Sequence, residues 1–257
     1  MPSNNYPILQ FDPSRETIID PAKVHPFCDA PPNCIICFFK AEIEALRVAG
    51  NLVPVADMTS EAGPNHLHKF ERDGMQIAIF HPGVGAPLAG GNLDIAISSG
   101  CRNFIAIGSA GVLDGNIEVG SFLIPTSAVR DEGTSYHYKA PSLEVDASPQ
   151  AVKELKKVLD LRSTSYQNCK TWTTDAFYRE TFGKIKRRRS EGCLTVEMEA
   201  AAFFAVAEFR GVHLAQLLYA ADDVSGKEWK SRKWRERNDI RHEMLEIAVD
   251  YCMTQMK

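Results

Sequence analysis

From Cys34 onward the chain alternates short apolar runs with stretches whose apolar residues recur at helical spacing. Residues 34–38, 76–80 and 104–107 predict strands, and 40–49 and 88–99 between them predict helices. Further strands are predicted over 121–124, 127–130, 168–173 and 212–218, with helices over 149–161, 199–209 and 235–256. The apolar runs are continuous, not alternating with polar residues, which is the mark of strands covered on both faces. The order therefore predicts an α/β fold, a mainly parallel sheet with covering helices.

Residues 1–33 break this pattern. They hold half of the fourteen prolines (Pro2, Pro7, Pro13, Pro21, Pro26, Pro31 and Pro32) and keep neither a helical nor a strand period. They read as an extended arm that wraps the body or a neighbouring subunit, with disorder as the alternative. Residues 34–257 read as a single domain.

At 257 residues the chain can bury a large core without disulfides. A formal charge of −4 supplies no global attraction to nucleic acid or to an anionic membrane, and the basic run 184–189 reads as a solvated loop. No apolar run is long enough to cross a bilayer. The seven cysteines are odd in number and unpaired in spacing, which suggests a reducing cytoplasm. Cys34 and Cys37 form a C-x-x-C, but inside an apolar strand, where no helix N-terminus favours a thiolate. His66-x-His68 is too sparse for a metal site, and no metal is expected.

The candidate chemistry centres on Thr195-Val196-Glu197-Met198-Glu199-Ala200-Ala201-Ala202, where an apolar run turns into an Ala-rich helix. Strand-to-helix junctions hold ligands in open α/β sheets. A carboxylate there can accept two hydrogen bonds at once, as from the vicinal hydroxyls of a ribose; the plain alternative is acidic residues favoured by a helix dipole. Phe104-Ile105-Ala106-Ile107-Gly108-Ser109-Ala110-Gly111-Val112-Leu113 follows a similar strand-to-glycine pattern, and Val119-Gly120-Ser121-Phe122-Leu123-Ile124-Pro125 comes soon after.

Together these blocks resemble the nucleoside phosphorylase superfamily, which contains purine nucleoside phosphorylases, uridine phosphorylases and methylthioadenosine/S-adenosylhomocysteine nucleosidases. The resemblance runs from Cys34 to the C-terminus and implies a three-layer α/β fold, a twisted, mainly parallel mixed sheet flanked by helices, and cleavage of an N-glycosidic bond in a homo-oligomer. It makes Glu199 the acceptor for the ribose diol, with Met198 under the sugar. Asp223, in Asp222-Asp223-Val224-Ser225, falls where a proton is delivered to N7 of a leaving purine, with Asp222 as the competing choice. Phe177 falls on the ring that stacks on the base, and Glu197 joins it as a base-binding residue. Glu42 falls on the glutamate that activates water in the nucleosidases.

Phosphorylases of this family carry a Gly-Asp-Pro-x-Arg loop at the junction where this chain has residues 37–42, and often an arginine where it has Ala106. Both arginines are missing here. Lys40, Arg130, Ser109 and the amide of Gly85 remain as a candidate anion site, so phosphate stays a possible co-substrate; no other cofactor is expected. The departures lean to water as nucleophile, with phosphorolysis and a non-catalytic nucleoside-binding protein as alternatives.

Overall fold

The computed structural model describes residues 6–25 and 27–255; residues 1–5 of the arm, Pro26 and residues 256–257 lie outside the described part. Among the described residues seven α-helices and ten strands follow in the order α1 (Pro21–Val24), β1 (Asn33–Cys37), α2 (Lys40–Val48), β2 (Val53–Asp57), β3 (His66–Arg72), β4 (Met75–Phe80), α3 (Ala86–Ser99), β5 (Asn103–Val112), β6 (Phe122–Asp131), β7 (Glu144–Asp146), α4 (Pro149–Leu161), β8 (Tyr166–Thr174), α5 (Phe182–Ser190), β9 (Cys193–Glu197), α6 (Ala200–Arg210), β10 (His213–Asp223) and α7 (Asn238–Thr254).

The strands form one mixed sheet in the order β10-β6-β8-β9-β5-β1-β4-β3-β2, with β7 on β6. β10 also pairs with β5, in parallel register from His213 opposite Asn103 to Ala220 opposite Ala110. That extra pairing closes β5, β10, β6, β8 and β9 into a ring, and β1, β4, β3 and β2 extend from it as an open wing. Every residue of β1 is buried, as a strand covered on both faces must be.

Helices α2 and α4 each pack on α7, and α4 and α7 reach β10, β1 and β5, while α3 packs on α6, which lies against β6, β8 and β10. α6 is buried from Ala200 through Ala207, and its alanines let α3 and the sheet approach it closely.

Three features depart from the pattern read along the chain. β2 and β3 were not foreseen, because only Leu67 and Phe70 of β3 are buried among its His, Lys and Arg residues. The two strands expected over 121–130 are one, bent at a register shift between Pro125 and Ser127; proline supplies no amide there for a ladder. The basic run is not a loop but most of α5, begun by Thr181, whose hydroxyl accepts from the Lys184 amide. Lys184 and Arg188 lie 5.8 and 5.6 Å from the centre of the buried Trp172 ring and both pair with Asp131.

The described part of the arm lies along the body. Cys28 and Ala30 donate their amides to the Ser99 carbonyl at the end of α3, and Arg102 and Asn103 donate to Pro32. Arg15 sits 5.5 Å from the centre of the Phe209 ring.

Candidate active site

The C-terminal ends of β5, β9 and β10, together with the segments after β1, β4 and β8, surround a cavity of about 300 Å³. Ligands of open α/β sheets bind outside the carboxyl ends of the strands for this reason: the connecting loops diverge there.

Glu197 ends β9 inside the cavity wall. Its Oε2 accepts from the amides of Glu199 and Ala200 at 2.7 and 2.6 Å, and its Oε1 accepts from the Thr173 hydroxyl at 2.6 Å. These bonds satisfy the first free amides of α6, so Glu197 anchors the helix start. With both oxygens so engaged it has little left to bind a base, which corrects the base-binding role expected for it. Burial raises its pKa, and these same hydrogen bonds partly offset that rise.

Glu199 is the first non-helical residue before α6 and is only 6% exposed. Its Oε1 accepts from the Gly85 amide at 2.5 Å. Gly85 reaches that position with φ of +94°, and Gly83 just before it has φ of +82°, both in the region that glycine alone enters freely. Burial first, and then the neighbouring Glu197 charge, push the Glu199 pKa well above the usual carboxylate range. Met198 lines the cavity between the two glutamates, with Ser109 and the backbone of Gly108 and Gly111 across from them on β5.

At the end of β10 the register with β5 shifts between Ala220 and Asp223. Asp222 lines the cavity, and its Oδ2 accepts from the Trp229 indole at 2.6 Å. Asp223 is not part of the lining. It accepts from the Ser225 amide at 2.8 Å and lies 3.8 Å from Lys230 Nζ. Burial would raise its pKa, but the Ser225 bonds and the nearby Lys230 and Arg232 outweigh burial and hold it below the usual range. A stabilised carboxylate outside the cavity is a poor acid near neutrality, so Asp223 does not fit the proton-donor role expected of it.

Phe177 lines the cavity and is half exposed. Three residues on, Glu180 lines it too, and burial together with the Asp222 charge pushes Glu180 up to about 7. Gln216 is 1% exposed in the middle of β10, lines the same cavity, and has an Oε1 with no partner among the described residues. Neither residue was singled out from the sequence. Gln216 had a visible signal, a lone polar residue within the apolar run 214–218; Glu180 had only its nearness to Phe177.

The other expected residues lie elsewhere. Glu42, on α2, faces α7, with His242 Nδ1 3.3 Å away, and does not line the cavity. Arg130 is buried and spends its donors on Ser135 Oγ, Ser142 Oγ and the carbonyls of Lys139 and Ala140, tying down the segment after β6. Lys40 lines a separate groove of about 480 Å³, shared with Arg47, His66 and His81 and touching the cavity only at Val84. Of the four expected anion ligands, Ser109 alone lines the cavity; the Gly85 amide is given to Glu199.

Fold and site together define an α/β protein with an acid-walled cavity at the carboxyl ends of its strands. The phosphorylase superfamily model matches residues 32–248, and the chain belongs to that family. It is 31% identical over 142 residues to guanosine phosphorylase of Halorubrum lacusprofundi, a match that covers 54% of this chain and 58% of that one. It is 29% identical over 188 residues to a DeoD-type purine nucleoside phosphorylase of Bacillus cereus, covering 71% and 77%. These relatives are enzymes.

Among solved structures, AMP nucleosidase from Bacteroides thetaiotaomicron superposes with a TM-score of 0.70 at 18% identity, over 88% of this chain and 89% of that one. Uridine phosphorylase from Vibrio fischeri gives 0.68 at 23% identity, over 90% and 94%. Both share the fold.

Proposed function

We propose that this protein cleaves the N-glycosidic bond of a purine nucleoside with water as the nucleophile. One observation carries the choice of nucleophile: Glu180, Glu197, Glu199 and Asp222 line the cavity, and no Lys, Arg or His does so among the described residues. A phosphate carrying near two negative charges would face carboxylates there without a cation to hold it.

The same acids suit the sugar. Glu199 takes the ribose diol, Met198 packs against the sugar, and Phe177 stacks on the base. As the C1′–N9 bond breaks, its electron pair moves into the purine, and Glu180, whose carboxyl is pushed up to about 7, gives its proton to N7. Positive charge left on the sugar is steadied by the carboxylates around it. Water then bonds to C1′, and the proton it loses passes through solvent to restore the Glu180 carboxyl. Glu42 has no part in this scheme.

Phosphorolysis is the second reading, favoured by two observations. Both relatives named above are phosphorylases by name, and Lys40, Arg47 and His81 gather in the groove beside Val84. The test is release of free base from adenosine, inosine and methylthioadenosine with and without phosphate. Equal turnover without phosphate supports hydrolysis; base release that requires phosphate, with a sugar 1-phosphate as product, overturns it.

A homo-oligomer belongs to the same proposal, supported by the exposed Tyr178, Phe182 and Trp229. So does a reducing, cytoplasmic setting, supported by seven free cysteines. No described helix is long and apolar enough to cross a membrane.

A further inference from the structure

We infer that Gln216 holds the attacking water at the floor of the cavity and so acts as a positioning residue for hydrolysis; this rests on the reading that water is the nucleophile. Gln216 stands opposite Ala106 in the β10–β5 register, Ala106 opposite Ile36 of β1, and Ile36 opposite Phe80 of β4. Residues paired across neighbouring strands point to the same face of a sheet. Gln216 is therefore the polar end of a row whose other members, Ala106, Ile36 and Phe80, are apolar and fully buried.

That row cannot satisfy an amide. Gln216 is 1% exposed, and its Oε1 meets no donor among the described residues. A buried polar atom is ordinarily hydrogen-bonded, so this oxygen calls for a donor that the chain does not supply. Such a donor has access from the cavity, whose lining includes Gln216 together with Gly108 and Leu218, two residues further along β5 and β10. The Phe38 ring closes over Gly108, where a Cβ would lie 3.1 Å from Phe38 Cδ2. Phe38 is held in turn by the rings of Phe203 and His81, each 6.2 Å away. An apolar approach with one carbonyl oxygen at its foot suits a small neutral donor and excludes a charged phosphate.

In the proposed complex Phe177 and Glu180 are on the base, and Met198 and Glu199 are on the sugar. This leaves the floor of Phe38, Gly108, Gln216 and Leu218 for the group that meets C1′ on the face turned away from the base. Water there gives one O–H to Gln216 Oε1. Its lone pair forms the bond to C1′ as the C1′–N9 pair leaves with the purine, and its other hydrogen departs as a proton to solvent. The amide takes no proton and carries no charge, so Gln216 sets direction without acting as a base. A water already aimed at C1′ does not have to be recruited and turned during the reaction.

Water has two hydrogens, one for Gln216 and one to lose, whereas methanol has one and cannot serve both. The test therefore follows whichever of adenosine, inosine and methylthioadenosine is turned over fastest, in aqueous methanol without phosphate, and counts free sugar against its methyl glycoside by mass spectrometry. Wild type should give the free sugar alone. Gln216→Met keeps the length and removes the acceptor; it should lower kcat by about 100-fold and leave KM within about twofold of wild type, since positioning for the transition state is lost and substrate binding is not. Its residual turnover should yield the methyl glycoside. Its Tm should be no lower than that of wild type, because an orphaned amide gives way to an apolar side chain in an apolar row.

Methyl glycoside from wild type in proportion to the methanol present overturns the inference and leaves cleavage by water standing, as does a Gln216→Met variant with wild-type kcat. A variant whose KM rises while kcat holds puts the amide on the nucleoside instead, and overturns it too. Base release from wild type that requires phosphate, or no release at all, overturns both the inference and the reading beneath it. Should Gln216→Met fail to fold, as judged by near-UV circular dichroism, the wild-type product ratio decides alone.

Discussion

Adjacent acids in one dipeptide have opposite fates here. Asp222 faces the cavity while Asp223 closes a turn onto the Ser225 amide. Asp222→Asn should lower kcat/KM for base release by about 100-fold with little change in Tm. Asp223→Asn should instead lower stability by about 1 kcal/mol and change kcat/KM much less, since it weakens a hydrogen-bonded turn. Steady-state rates and thermal melts of the two variants check both halves. The sequence announces an acid at the end of a strand; which of two adjacent acids turns inward depends on a register shift that leaves no mark on the apolar pattern. Glu199 was legible because an acid beside an Ala-rich helix start is rare and local. Glu42 was misleading because the same spacing of strand and helix places a side chain toward α7 once α2 is docked. The Glu180 pKa is raised from 4.5 to about 7, so the folded state holds that proton more tightly than the unfolded chain. Its contribution to stability is full below about 4.5 and is lost as pH rises through about 7. Tm should therefore fall between pH 5 and pH 8, and less steeply in Glu180→Gln. If the neutral form supplies the proton to the base, kcat/KM should decline above pH 7 in wild type.

The junction between β4 and α3 carries a constraint that belongs to neither element alone. A Cβ built on Gly83 would lie 2.3 Å from Leu88 Cδ2, and the backbone there has φ of +82°. Gly83→Ala should cost about 1–3 kcal/mol and shift the Gly85 amide that Glu199 accepts, raising KM for nucleoside; a chemical melt and a Michaelis curve would show it. Elements with a clear apolar pattern were legible at their starts: α4 spans 149–161 as expected, and β1, β4 and α3 begin within two residues of their expected starts, whereas β5 and β10 each run five residues past their expected ends. α5 escaped because its apolar content is low and Ile185 is its one buried residue. Its place is set instead by cations lying over Trp172 and pairing with Asp131, long-range contacts that a run of Lys and Arg does not advertise. The edge strands escaped for a related reason. β2 has no buried residue, so the period that identifies a strand is absent from it.

At the scale of the molecule, six of the seven cysteines are buried and Cys28 alone is exposed. Burial pushes Cys37, Cys169 and Cys193 up to about 12, so they carry little thiolate at neutral pH. A thiol reagent should modify one cysteine quickly in the native protein and all seven in denaturant, as mass spectrometry would count. A mainly parallel sheet with covering helices was legible from element order, and its three-layer form from the family resemblance. What element order could not convey is that the β10–β5 pairing turns half the sheet into a hoop. The proposed sugar, base and acid groups stand on the staves of that hoop or just past their ends, between residues 177 and 222. A hoop has no loose end from which to peel, so no stave can slacken while its neighbours stay taut. Catalytic competence and tertiary structure in this protein should accordingly be surrendered together, in one step.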